Sequence, residues 1–163
     1  MKKILVIVFA LFALCANAQQ SVTKTSHSKA VKTDVVATGD VTIRKPEYIC
    51  ISTDGGKDQL IMDGTKFTMT QKGKKHVTDS KNNPQFATFH AVLKAVINRQ
   101  AIPTGNDITT TTKGSEQTIT ITPSAQKRQM FTSFVLVIDS KTSAMKRLRM
   151  NGRNESYTEY TFK

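Results

Sequence analysis

One segment, residues 84–98, carries a helical hydrophobic period, and nearly everything around it carries the two-residue period of strands. That contrast constrains the fold more tightly than composition does. Asn83 can cap a helix whose first residue, Pro84, has no amide hydrogen to satisfy. Phe86, Phe89, Leu93, Val96 and Ile97 then share one face by three-and-four spacing, with Val92 beside them and His90 at the edge. Such a stripe has to be covered, and strands supply the only cover. The predicted architecture is mainly β with one substantial helix: a strongly curved sheet wrapped over that helix.

Alternation predicts strands over 21–28, 35–43, 48–53, 59–62, 66–71 and 75–79 before the helix. After it come 108–112, 117–122, 131–139, 145–150 and 156–162. Gly39 predicts a bulge or bend, and Asn151-Gly152 predicts the turn between the last two strands. A short helical turn is predicted near 124–129. No repeat, long linker or low-complexity block interrupts the pattern, so one domain is expected.

The first residues read as an address rather than as fold. Lys2-Lys3 precede an apolar run, Ile4 to Leu14, too short to span a bilayer, and Ala16-Asn17-Ala18 supplies an A-x-A cleavage site. Residues 1–18 are therefore expected to be a cleaved signal peptide and 19–163 the mature domain. Leu14 before Cys15 argues against lipidation of that cysteine. Cys50 would then be the sole mature cysteine, a small core or face residue, with no intramolecular disulfide to make in a periplasm-like compartment.

The formal charge of +12 would fall to +10 on loss of Lys2 and Lys3. Lysines and arginines are scattered: Lys24, Lys29, Lys32, the turn at 72–75, Lys127-Arg128 and the run at 146–149. They suit a solvated surface, or attraction to an anionic membrane or an acidic partner. Nucleic acid is not expected as a partner: the chain reads as exported, has no Trp, and lacks RNP-like, helix-turn-helix and zinc-finger patterns. Catalysis is not expected either. His27, His76 and His90 are isolated, and no HExxH, GxSxG or phosphate-loop signature is present, so no metal or other cofactor is called for.

The order of motifs resembles a known family. Gly39-x-Val41-x-Ile43-Arg44-Lys45-Pro46, then Gln59-Leu60-Ile61-Met62-Asp63-Gly64, then an apolar helix, is similar to the periplasmic outer-membrane lipoprotein carriers, the LolA-like proteins. ITITPSAQKRQMFTSFVLVID and SYTEYTF continue the likeness toward the C-terminus. The resemblance implies an unclosed antiparallel β-barrel around an apolar cavity for the acyl chains of lipoproteins or related lipids. It implies a monomer that shuttles cargo from an inner-membrane exporter to an outer-membrane acceptor without making or breaking bonds.

Under that resemblance the candidate cavity residues are the apolar strand positions and the helix stripe. On the strands before the helix they are Val41, Ile43, Ile49, Ile51, Leu60, Met62, Phe67 and Met69. On the helix they are Phe86, Phe89 and Leu93, and after it Ile119, Ile121, Phe134, Leu136, Leu148 and Met150. Methionine suits such a role because its thioether chain adapts to ligand shape. The basic residue before the proline, which in the family latches a helical lid, maps onto Lys45, with Arg44 adjacent. Two departures stand out. Strand-like sequence begins at Gln20 to Thr25, where the family has an amphipathic helix. Ile49-Cys50-Ile51 occupies the place of the family's usual aromatic. The alternative reading keeps the half-barrel but assigns it to binding anionic membrane or an acidic protein without transport.

Overall fold

The structure, a computed structural model, describes residues 19–124 and 129–163. The predicted signal peptide and most of the predicted turn at 124–129 lie outside the described residues. Eleven strands and one α-helix follow in order, with a single 3-10 turn (Asp54–Gly56) between the third and fourth strands: β1 (Gln19–Ser28), β2 (Val31–Arg44), β3 (Tyr48–Thr53), β4 (Asp58–Asp63), β5 (Lys66–Gln71) and β6 (Lys74–Asp79). Then come α1 (Pro84–Asn98), β7 (Ile108–Lys113), β8 (Glu116–Ile121), β9 (Phe131–Asp139), β10 (Met145–Gly152) and β11 (Tyr157–Phe162). All strands join one antiparallel sheet in the order β6-β5-β4-β3-β2-β1-β11-β10-β9-β8-β7. Its two outermost strands, β6 and β7, do not pair with each other, so the sheet stays open.

The sheet nevertheless curls hard. Six strands separate β5 from β9, a flat span of roughly 34 Å at ordinary strand spacing. Yet Phe67 of β5 and Phe134 of β9 both pack on Phe89 of α1, with ring centroids 5.5 and 4.2 Å away. Only a strongly bent sheet can bring both halves onto one side chain.

The helix begins where its cap requires. Asn83 is extended and its side-chain oxygen accepts a hydrogen bond from the Gln85 amide at 3.1 Å, with Pro84 following. It ends at Arg99, which turns left-handed (φ 56°) so that its amide and that of Gln100 satisfy the carbonyls of Val96 and Ala95. Between those ends Phe86, Phe89, Val92, Leu93, Val96 and Ile97 are all buried.

Gly39 does not form the predicted bulge. Its register with Thr53 and Val22 is regular, and the irregularity in the β1–β2 pair falls at Ser26–Ser28. Gly39 is needed for close approach instead: a Cβ there would overlap the Ser52 carbonyl and lie 2.7 Å from Thr53 Cα. The last turn is also displaced. Asn151 and Gly152 still pair with β9, and the chain reverses over 153–156, where Asn154 and Glu155 adopt positive φ.

Candidate functional site

The concave face of the sheet has two ends with different contents. Strand alternation sends Val22, Lys24 and Ser26 of β1 and Val41, Gly39, Ala37 and Val35 of β2 to the same side, because the register pairs Val22 with Gly39, Lys24 with Ala37, and Ser26 with Val35. Toward one end this face is filled. Val41, Ile49, Ile51, Leu60, Met62, Phe67, Phe86, Phe89, Leu93, Ile119, Ile121, Phe134, Leu136, Leu148 and Met150 are each 3% exposed or less and form one packed cluster. Met69 joins it at 8%, and Ile43 packs on its margin, half-buried.

Toward the other end the face is open. A concavity of about 700 Å³ lies between the β1–β2 hairpin, the β5–β6 turn and the β10–β11 turn. Among the predicted cavity residues only Met69 and Met150 line it; the remainder pack on one another behind it. The other apolar walls are Val31, Val35, Met130 and Phe131. Val31, Val35 and Met130 are 47%, 63% and 47% exposed, so three of the largest exposed apolar side chains face one hollow. Periodicity in 35–43 predicts β2 but not its first four residues, Val31 to Asp34. The part from Val31 to Thr38 pairs with β1 alone and stands up as the wall.

Lys24 was expected among the surface lysines and is instead 5% exposed, on the inward side between Ala37 and Tyr160. Its ammonium donates to Asp58 Oδ2 at 2.6 Å, and the Lys72 amide donates to Asp58 Oδ1 at 3.1 Å. Burial alone would raise the Asp58 carboxyl, but these two hydrogen bonds and the lysine charges outweigh it and hold the group below its ordinary range. Tyr160, 4% exposed, is pushed the other way, by burial first and by the Asp58 charge second. This polar pair marks the boundary between the filled and open ends. Nothing in the weak alternation of 21–28 announced it, since the partner lies 34 residues away.

The helix is tied to both halves of the sheet. At its start Gln85, 5% exposed, donates through Nε2 to the Phe131 carbonyl at 2.9 Å and accepts from the Met130 amide at 3.4 Å. At its end Asn98 Nδ2 donates to the Pro46 carbonyl at 2.7 Å. Between them Glu47 meets His90 Nε2 at 3.0 Å and forms an ion pair with Lys94. The Lys94 hydrogen bond, and then that of His90, hold the Glu47 carboxyl below its ordinary value. Lys45, the latch candidate, is exposed and makes no ion pair among the described residues, and the Arg44 guanidinium lies 3.8 Å over the Tyr48 ring. The contacts to the helix come one and two residues later, from Pro46 and Glu47.

Among the described residues no group of three or more His, Cys, Asp or Glu side chains could hold a metal ion. Cys50 is free and half-buried, on the face of β3 opposite Ile49 and Ile51.

The sequence model described as outer membrane lipoprotein carrier protein LolA matches residues 13–163. The chain belongs to the LolA family. No curated protein matches its sequence. Among solved structures, a LolA superfamily protein from Nitrosomonas europaea is 7% identical, over 89% of this chain and 83% of that one, with a TM-score of 0.34. A DUF1329 family protein from Desulfovibrio piger is 10% identical over 89% and 82%, with a TM-score of 0.39. The Pseudomonas aeruginosa MucA/MucB complex contributes a chain 9% identical, covering 90% of this one but 50% of its own length, also at 0.39.

Proposed function

We propose that this LolA-family chain is a periplasmic, non-catalytic carrier that binds the acyl chains of lipoproteins or related lipids and shuttles them toward the outer membrane. In this reading residues 1–18 are removed on export and 19–163 work as a single-domain monomer between an inner-membrane exporter and an outer-membrane acceptor. The observation that carries it is the open, apolar end of the concave face. A soluble fold normally covers such side chains; here Val31, Val35 and Met130 stand exposed around a hollow floored by Met69, Phe131 and Met150. Each methylene moved into such a hollow contributes about 0.8 kcal/mol, so a long acyl chain can bind without a set of specific polar contacts. The packed cluster behind it is the rigid wall that keeps the hollow from collapsing.

The test is uptake of a fluorescent fatty-acid probe by the purified protein at low and high salt. Saturable binding that persists at high salt and is lost in Val31→Asp/Val35→Asp is expected. Both residues are exposed, so this variant should keep its fold. Absence of saturable uptake in either condition would sink the carrier reading. The net charge of +12 favours a second reading, docking on anionic membrane or on an acidic protein without transport. That reading predicts binding to anionic vesicles, fading as salt rises, with no internal uptake of the probe.

A further inference from the structure

The hollow is not uniformly apolar, and the distribution of its charges carries information about cargo. The lysines and arginine that line it are Lys24, Lys72, Lys74 and Arg153, against a single carboxylate, Asp58. That carboxylate is already engaged by the Lys24 ammonium at 2.6 Å and the Lys72 amide at 3.1 Å. Lys72, on the β5–β6 turn, and Lys74, the first residue of β6, are exposed, and neither ammonium forms a direct ion pair among the described residues, although the Lys72 charge also acts on Asp58. Positive charge and the apolar side chains of Met69 and Met150 therefore line the same hollow.

Size is compatible with such cargo. A methylene occupies roughly the volume of a water molecule, about 30 Å³ in the liquid, so a sixteen-carbon chain needs about 480 Å³. The hollow of about 700 Å³ has space for at least one such chain.

We infer that the hollow selects an amphiphile with an anionic headgroup, an acyl tail lying along Met69, Phe131 and Met150 and the headgroup meeting Lys72 and Lys74. This rests on the carrier reading and narrows it from acyl chains in general to amphiphiles with an anionic head. A carboxylate and a phosphate monoester share the required chemistry.

Titration calorimetry on the purified protein at fixed ionic strength tests it with four ligands: palmitate, 1-palmitoylglycerol 3-phosphate, neutral 1-palmitoylglycerol, and a tripalmitoylated lipopeptide. The anionic ligands palmitate and 1-palmitoylglycerol 3-phosphate are expected to bind about tenfold or more tighter than neutral 1-palmitoylglycerol, the scale set by two nearby basic groups. The tighter of the two anions identifies the headgroup. In Lys72→Gln/Lys74→Gln that gap should shrink to about threefold or less, with neutral binding and the melting curve unchanged. Equal binding of neutral and anionic ligands, a preference that survives the double substitution, or binding of the lipopeptide alone overturns the inference and leaves the carrier reading standing. No binding by any of the four overturns both.

Discussion

At the residue scale, the molecule depends on a few side chains whose neighbours leave no slack. Phe89 is fully buried, stacked on Phe134 at 4.2 Å and on Phe67 at 5.5 Å, so it joins the two arms of the sheet through one ring. Phe89→Ala should lose about 3–5 kcal/mol of stability in urea titration, because neither arm can follow the missing ring without pulling away from the helix. Lys24 shows a different kind of dependence. Lys24→Met leaves Asp58, only 20% exposed at its side chain, without its charged partner and should destabilise the fold by about 1–3 kcal/mol. Adding Asp58→Leu should restore most of the loss, since a buried pair replaced on both sides by apolar groups is often neutral. A double substitution no more stable than the single one would show that the pair contributes more than mutual neutralisation.

At the element scale, α1 behaves as a strap. Gln85 fastens its first turn to the start of β9, while Glu47 and Pro46 fasten its last two turns to the β2–β3 connection. The Glu47 carboxyl is held below its ordinary 4.5 by Lys94 and His90. A carboxyl lowered in the fold stabilises it above the unfolded value, and that contribution fades as pH falls through the lowered one. The melting temperature should therefore drop on acidification below about pH 4.5, and Glu47→Gln should flatten part of that drop while lowering stability near neutral pH. Thermal melts of both proteins between pH 3 and pH 7 check this; parallel curves would remove Glu47 from the account. The β1–β2 hairpin is the other element with a distinct role. His27 bonds Asp34 across the hairpin at 2.7 Å and stacks on Tyr157 at 5.1 Å, which fixes to β11 a wall that lacks a β3 partner.

At the scale of the whole molecule, an open sheet of eleven strands must manage two edges and a bend. The central strands β1 and β11 join the two ends of the described fold, whereas β6 and β7 each have one neighbour. Every residue of β7 beyond Ile108 is exposed, and β6 opens with two lysines, a composition that discourages pairing with another chain. Amide hydrogen exchange should accordingly be fastest in β7, β6 and residues 31–38, and slowest in β1, β11 and β10. Uniform protection across the sheet would contradict an open barrel with graded edges.

Much of this is legible in the sequence. The eleven strands, the capped helix and its buried stripe follow from periods and caps, which depend on residues within a few positions of one another. The misplacements are instructive for the same reason. Gly39 reads as a bulge by local rules, but what demands glycine there is the backbone of Ser52 and Thr53 on the next strand. Val31 to Asp34 carries no clean alternation because neither face of that part of the wall belongs to the packed cluster. The resemblance placed a latch at Lys45, whereas the contact arises at Glu47, 43 residues from His90. What the sequence determined by itself was the kind of each element and the face it buries, since propensity, capping and alternation are short-range. Only the tertiary structure decided which end of the concave face is filled by phenylalanines and which stays open over a buried lysine. Curvature and register set those distances, and both arise from pairings made across the whole chain.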